Sequence, residues 1–274
     1  MLKPLIAVTF ISLFTFAAFG QADTAIAYNY FQKGYVKEFV KDYNGALTDY
    51  DSSAMANPGY NRVYFYRALV KYHLNDFKGS IADYTKFIAT HPKSAQAYDN
   101  RGYSKFSLGD NEGALDDYNI SIKLDSSVYR RYANRGGAEN RLGKYDDAVA
   151  DFTKALSLNP ENADLYFNIG MSKGALNDAA GAIEAFNNAI RLRPSFEMAF
   201  LLRGSNRGEL KDYKGAIADF DQCLALNSRN SNAWLNRGAI KLDQGDKLGA
   251  CADFSKAQTL GNPMAAEAIR QYCK

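Results

Sequence analysis

Few residues in this chain have the type and spacing that catalysis requires. The 274-residue sequence has two histidines, His73 and His91, and neither has a cysteine or another histidine within one helical turn. A zinc site needs three or four such ligands, and a catalytic nucleophile needs a base close to it. Aspartates and glutamates are plentiful, but they recur at regular intervals, which is typical of capping and pairing roles. The sequence therefore predicts no catalytic site, no metal site and no cofactor.

The regular spacing arises from a unit of 34 residues. Aligning the chain with itself at this offset gives seven successive copies. They span residues 27–60, 61–94, 95–128, 129–162, 163–196, 197–230 and 231–264. Within a copy, position 4 is always aromatic, position 8 is glycine except at Ala68, and position 20 is alanine except at Ser80. Position 24 is again always aromatic, with Tyr50, Tyr84, Tyr118, Phe152, Phe186, Phe220 and Phe254.

Each copy predicts two α-helices joined by a tight turn. In the fourth copy, Tyr132 and Gly136 share one face of the first helix, and Ala148 and Phe152 share one face of the second. Such a hairpin has too little core to fold alone, so the copies must stack on one another. The predicted fold is an all-α solenoid of seven hairpins, followed by a C-terminal capping helix at residues 265–274.

This pattern resembles the tetratricopeptide repeat (TPR) family, which has the same period and the same aromatic, glycine, alanine and proline offsets. The resemblance implies an α-α superhelical solenoid whose first helices line a concave groove that binds extended or helical peptides. One departure runs through the chain, because position 7 is basic in six copies where the family has leucine. These residues are Lys33, Arg67, Arg101, Arg135, Arg203 and Arg237.

A recurring aspartate at position 23 gives the basic residue at position 7 a structural explanation. The aspartates are Asp49, Asp83, Asp117, Asp151, Asp219 and Asp253. The fifth copy lacks both groups, since it has Ile169 and Ala185 at these positions. Antiparallel helices bring the two positions together, so the pattern predicts an ion pair within each hairpin. Recognition of a partner by the arginines is the alternative interpretation.

A second aspartate recurs in the turn between the two helices, at position 16. Such a residue can cap the second helix by accepting hydrogen bonds from its free amides. The position 16 aspartates are Asp42, Asp76, Asp110, Asp178, Asp212 and Asp246. Position 19 is glycine in six copies, which predicts close packing at the start of the second helix.

Candidate partner-binding residues lie on a second stripe of the first helix, at positions 2, 5, 9 and 12. In the first three copies the stripe is strongly apolar, with Phe31, Tyr35, Phe65, Leu69, Tyr72, Tyr103 and Phe106. The resemblance implies that this stripe lines the groove and binds a protein or peptide. Packing of these side chains on neighbouring hairpins is the alternative. Further along the stripe, Gly137, Gly174 and Gly208 are expected to leave room for a partner backbone, with drift in a tolerant repeat as the alternative, and Asn140 and Arg141 are candidate polar anchors.

The N-terminus predicts a secretory signal peptide at residues 1–20. Lys3 precedes an apolar run at residues 5–19, and small residues follow it. The run is shorter than the ~20 residues that a spanning helix needs, although an uncleaved membrane anchor is the alternative. We therefore expect an exported protein, periplasmic or secreted, without a stable membrane span after signal cleavage.

Composition and charge narrow the function further. The net charge of +3 and the absence of a concentrated basic face argue against nucleic-acid binding. The predicted function is an exported scaffold that binds another protein or a peptide and is not an enzyme. A helical enzyme or accessory domain that acts on cell-envelope polymers is the alternative, and a purely structural spacer is a third possibility.

The three cysteines fall into two groups. Cys223 replaces a small residue of the repeat and is expected in the core. Continuing the repeat with a shift of one residue at Pro263 places Cys273 against the preceding helix, which carries Cys251. In an oxidising compartment these two residues are expected to form a disulfide. Two buried free thiols are the alternative.

Overall fold

The computed structural model describes the backbone of residues 6–274 and the side chains of residues 23–274. The predicted signal peptide lies outside the residues whose side chains are described. Among the described residues, no helix combines the length and the apolar character that a membrane crossing requires.

The described backbone forms fifteen α-helices and contains no β-strand. The helices divide into two compact units, Met1–Ser126 and Ser127–Lys274. The first unit contains α1 (Ile6–Phe39), α2 (Tyr43–Ala56), α3 (Arg62–His73), α4 (Phe77–Thr90), α5 (Ala95–Leu108) and α6 (Asn111–Leu124). The second contains α7 (Tyr129–Arg141), α8 (Tyr145–Leu158), α9 (Ala163–Ala175), α10 (Ala179–Leu192), α11 (Glu197–Glu209), α12 (Tyr213–Leu226), α13 (Ser231–Asp243), α14 (Lys247–Thr259) and α15 (Ala265–Tyr272).

Within each unit, every helix packs on the helix before it and the helix after it. The first helices of neighbouring hairpins also touch one another, as α1 does with α3 and α9 with α11. This is the contact pattern of stacked helical hairpins, in which each hairpin buries its apolar faces against its neighbours. The prediction of an all-α solenoid is confirmed.

The two helices of a hairpin approach closely where a glycine faces an aromatic ring. A Cβ atom at Gly170 would lie 2.6 Å from Cε1 of Phe186, and one at Gly238 would lie 2.7 Å from Cε1 of Phe254. Real Cβ atoms do not come this close, so the ring occupies the space that a side chain would need. The glycine at position 8 therefore sets the distance between the helices of a hairpin.

The turn between the helices has the predicted cap. Gly45 N donates to Oδ1 of Asp42 at 3.0 Å, and the same bond recurs at five further turns. A Cβ atom at Gly79 would lie 2.0 Å from Oδ2 of Asp76, so the glycine makes room for the capping carboxylate. The fourth hairpin has Lys144 and Asp147 at these two positions, and α8 has no side-chain cap.

The predicted ion pair within the hairpin is present wherever position 7 is arginine. In the third hairpin, Arg101 donates from Nε and Nη2 to both oxygens of Asp117, at 2.8 and 2.6 Å. A second cation, Lys105 Nζ, lies 2.9 Å from the same carboxylate. The arginine–aspartate pairs are Arg67–Asp83, Arg101–Asp117, Arg135–Asp151, Arg203–Asp219 and Arg237–Asp253. We refer to these five pairs as the Arg–Asp ladder.

Four of the ladder arginines also bond to the second helix of the preceding hairpin, and they are Arg67, Arg101, Arg203 and Arg237. Arg67 Nη1 donates to Oδ1 of Asp51 on α2 at 2.9 Å, and Arg203 Nη1 donates to Oδ1 of Asn187 on α10 at 2.7 Å.

The first hairpin differs from the prediction. Its Asp49 pairs with Lys37 at 2.7 Å, while Lys33 lies over the ring of Tyr30. A lysine lacks the planar fork of arginine, so a lysine one turn later can serve the aspartate equally well.

The C-terminal helix α15 packs on α14 and is fastened to it by a disulfide. Cys251 and Cys273 are joined with a Cα–Cα distance of 5.6 Å. Lys247 Nζ also donates to the backbone oxygen of Lys274 at 2.9 Å.

Cys223 is buried as a free thiol, and burial raises its pKa to about 12, so it is inert as a nucleophile.

We expect the disulfide to be present in the purified protein. Unfolding without reductant and alkylation should then label one of the three cysteines, Cys223, and prior reduction should expose all three. Intact-mass measurement distinguishes the two states. Labelling of three thiols without reductant would show that Cys251 and Cys273 are free.

Candidate functional site

The apolar stripe of the first unit is partly exposed and partly core. Tyr35 on α1 and Tyr103 on α5 are 45% and 42% exposed. The other predicted residues of α3 and α5, which are Phe65, Leu69, Tyr72 and Phe106, are half-buried. The exposed aromatic rings of the predicted binding set therefore lie at position 9 of the first helices, and those at position 12 are half-buried.

Phe31 is a correction to the predicted binding set. Its side chain is 1% exposed and belongs to the core of the first unit. The rings of Tyr60 and Tyr66 lie 5.6 and 5.2 Å from its ring, and the Arg62 guanidinium lies 5.1 Å from it. The start of the next hairpin covers this position, so Phe31 cannot contact a partner.

Phe65 occupies the same position one hairpin later and is also largely a packing residue. Its ring lies 5.5 Å from Tyr84 and 5.2 Å from Phe87 on α4, in edge contacts. Phe65 thus packs mainly within its own hairpin, whereas Phe31 packs against the hairpin that follows it.

Adjacent first helices bring rings of this stripe into contact with one another. Tyr72 of α3 lies 5.2 Å from Tyr103 of α5, and Tyr103 stacks on Phe106 at 6.5 Å. The hydroxyl of Tyr72 is within 3.2 Å of Ser107 Oγ. These contacts hold the rings in place without burying them. We call Tyr35, Tyr66, Leu69, Tyr72, Tyr103 and Phe106 the aromatic surface.

Tyr66 also belongs to this surface, although it stands at position 6 and so lies outside the predicted stripe. Its ring meets Tyr35 edge-on at 5.6 Å and connects α3 with α1. The sequence does mark Tyr66 as unusual, because four other copies have asparagine at position 6. Those residues are Asn100, Asn134, Asn168 and Asn236.

The predicted polar anchors lie in the second unit, away from the aromatic surface in sequence. Asn140 is half-buried and accepts a hydrogen bond from Ser172 Oγ at 2.8 Å, so it joins α7 to α9. Arg141 is exposed at the end of α7. Gly208 does not leave room for a partner, because a Cβ atom there would lie 2.7 Å from Cδ1 of Ile240. Gly174 lines a cleft of about 310 Å³ between α9 and α11.

The histidines have aromatic neighbours. His73 stacks on Tyr43 at 4.6 Å, and His91 stacks on Phe87 at 4.3 Å, with both histidines exposed. In the part of the chain with described side chains, no three histidine, cysteine or acidic residues group closely enough to bind a metal ion.

One titratable group has an unusual environment. Glu139 of α7 stands where the other copies have lysine or arginine beside the ladder aspartate. It is buried, and its Oε2 atom accepts no hydrogen bond from the described residues. Burial raises the pKa of Glu139 to about 7, and the charges of Asp151 and Asp147 add to this effect while Arg135 opposes it.

The raised pKa makes the stability of the second unit depend on pH. In the unfolded chain Glu139 titrates near the ordinary value of 4.5. Between that value and about 7, the folded state retains a proton that the unfolded state releases. The free energy of unfolding therefore falls as the pH rises through this window, and it levels off above it.

Replacing Glu139 with glutamine should remove this loss of stability at higher pH. We expect Glu139→Gln to reduce the fall in stability between about pH 5 and about pH 8 by about 1–3 kcal/mol. Urea unfolding at the two pH values measures the difference. Glu184→Gln, at an exposed position of α10, is the matched control. Identical pH profiles for wild type and Glu139→Gln would contradict the raised pKa.

Comparison with known proteins places these features in a family. Models described as "TPR repeat" and "Tetratricopeptide repeat" match residues 62–94, 136–176, 163–196 and 201–265, which together make more than half of the chain. A comparison with curated protein sequences finds no match.

Solved structures with the same fold are numerous. A tetratricopeptide repeat protein from Parabacteroides merdae has 20% identity and a TM-score of 0.67, with 91% of this chain and 100% of that chain covered. The C-terminal part of a TPR repeat-containing protein from Cytophaga hutchinsonii has 14% identity and a TM-score of 0.73, covering 87% and 99%.

A third structure, YrrB, is described as a TPR protein with an unusual peptide-binding site. It has 23% identity and a TM-score of 0.60, covering 69% of this chain and 97% of that chain. At these identities the likeness is one of fold, and this fold is a common scaffold for binding proteins and peptides. With its repeat matches and its stacked hairpins, the chain belongs to the tetratricopeptide repeat family.

Proposed function

We propose that this protein is an exported scaffold that binds an extended peptide or a segment of another protein on its aromatic surface, without catalysing a reaction. The exposure of Tyr35 on α1 and Tyr103 on α5 carries the proposal, since it offers aromatic rings to solvent on two first helices of the first unit. The expected organisation is a signal peptide at residues 1–20, seven repeats at 27–264 and a capping helix.

The rings of the aromatic surface suit peptide recognition. A tyrosine provides a large contact area at a small cost in conformational entropy, because it has only two side-chain torsions to fix. Neighbouring rings already hold Tyr72 and Tyr103 in place, which lowers that cost further. Their hydroxyl groups can also bond to a peptide backbone.

Two observations favour binding over catalysis. The charged groups that recur through the chain are engaged with each other in the Arg–Asp ladder or in helix caps. YrrB, which has the same fold, is described by its peptide-binding site. The accessible groups of the aromatic surface are rings rather than acids, bases or nucleophiles.

Export is supported by the N-terminal sequence and by the cysteines. Lys3 and the apolar run at residues 5–19 have the form of a secretory signal. The disulfide between Cys251 and Cys273 is of the kind that persists in oxidising compartments.

The aromatic surface can be tested with peptides selected on the wild-type protein from a displayed random library. We expect Tyr35→Ser combined with Tyr103→Ser to weaken their binding at least about tenfold, because aromatic anchors dominate such interfaces. Titration calorimetry measures the affinity. Melting curves should change little, since both side chains are partly exposed.

The matched control replaces exposed apolar residues on second helices of the same unit. Met55 on α2 and Ile120 on α6 are 75% and 39% exposed. Met55→Ser combined with Ile120→Ser should leave binding unchanged. Equal losses in the two double variants, or no loss in the first, would overturn the proposed site.

A further inference from the structure

A second cleft lies at the C-terminal end of the second unit, between α13 and α15. Its volume is about 620 Å³, within the usual range for ligand sites. The buried ring of Phe254 on α14 contributes to its lining. The remaining lining residues are Leu235, Asn236, Ala239, Leu242, Asp243, Pro263, Met264, Glu267, Ala268, Gln271 and Tyr272.

Helix α15 leaves this cleft open beside α13. One first helix earlier, the long side chain of Ile240 on α13 fills the space at Gly208 of α11. Helix α15 presents the short side chain of Ala268 to the cleft. The face of α13 that carries Leu235, Ala239 and Leu242 is left partly uncovered.

Both ends of α15 are fixed, so the cleft is preformed. At its start, the buried Asn262 donates from Nδ2 to Oδ1 of Asn232 at 2.9 Å, and its own Oδ1 accepts from Met264 N at 3.0 Å. At its end, the Cys251–Cys273 disulfide fastens it to α14. A preformed site needs little reorganisation when a ligand binds.

The charge of the lining selects the kind of ligand. Asp243 and Glu267 are exposed members of the lining, and no lysine or arginine lines the cleft. Glu267 pairs with Arg270 of its own helix, so Asp243 is the main acidic group. An apolar cleft beside a carboxylate favours an apolar side chain next to a cation.

We propose that this cleft binds a peptide segment in which a leucine or phenylalanine neighbours a lysine or arginine. The apolar side chain fills the space among Leu235, Leu242 and Phe254, and the basic group faces Asp243. The site is carried by the second unit alone. It is separate from the aromatic surface, so it extends the proposed function instead of depending on it.

Three short fluorescein-labelled peptides of equal length test the proposal. One pairs leucine with lysine, one pairs leucine with glutamate, and one pairs glutamine with lysine. Fluorescence anisotropy with the full mature chain measures each affinity. The leucine–lysine peptide should bind at least about tenfold more tightly than either of the others, because only it matches both the apolar lining and the charge.

Variants then locate the binding. Ala239→Phe fills the cleft and should weaken binding of the leucine–lysine peptide at least about tenfold. Ala150→Phe, on the exposed face of α8, should leave this binding unchanged. Asp243→Lys should weaken binding of the leucine–lysine peptide about fivefold and strengthen binding of the leucine–glutamate peptide. Glu161→Lys, in an exposed turn, is the charge control. If Ala239→Phe fails to fold, Ala268→Phe blocks the cleft from its other wall.

Several results would overturn the proposal. Equal affinity for the leucine–lysine and leucine–glutamate peptides would show that charge has no role. Undiminished binding to folded Ala239→Phe or Ala268→Phe would place the peptide elsewhere. Loss of binding in the Tyr35→Ser and Tyr103→Ser double variant, with none in Ala239→Phe, would assign the peptide to the aromatic surface.

Discussion

A buried carboxylate held between two basic side chains is the interaction that joins the two helices in four hairpins of this protein. The carboxylate of Asp219 is 3% exposed and bonds to Arg203 and Arg207. A buried carboxylate without partners would be strongly unfavourable, so the aspartate requires the arginine of the facing helix. The arginine also reaches the preceding hairpin through its remaining nitrogen, at Asn187. One side chain thus fixes both the pairing of helices within a hairpin and the register between hairpins.

The fourth and fifth copies show the physical limits of the ladder. The fifth hairpin has Ile169 and Ala185, which are both buried and apolar. Replacing both members of a buried pair with apolar residues can leave stability unchanged, whereas losing one member cannot. The fourth hairpin keeps Arg135 and Asp151 but has Glu139 in place of the second cation, which gives this hairpin the raised pKa. Because the ladder is occupied by internal contacts, the proposed binding sites lie outside it.

The features that follow the 34-residue period could be predicted from the sequence. Helical hairpins, the Asp–Gly caps and the pairing of positions 7 and 23 each depend on residues close in the repeat, so periodicity alone brings them together. What could not be predicted depends on how closely the next element approaches. Phe31 is buried because Tyr60 of the connecting segment and Arg62 of the following hairpin cover it. The cleft beside α15 depends on how that helix packs next to α13, and the ring contacts of Tyr66 depend on the spacing of α1 and α3.

The central claim is that the ladder arginines serve the fold and that binding belongs to the exposed surfaces. The free energy of unfolding of Asp219→Ala, compared with that of Asp164→Ala, tests it most directly. Asp164 pairs with Arg193 at the exposed surface, so its loss should cost less than about 1 kcal/mol. Asp219→Ala leaves two half-buried arginines without their shared carboxylate, so the free energy of unfolding should fall by roughly 3 kcal/mol or more. Asp219 is preferable to Asp151, whose removal would also relieve Glu139. Equal stabilities, with peptide binding lost only in Asp219→Ala, would contradict the account and assign the arginines to recognition.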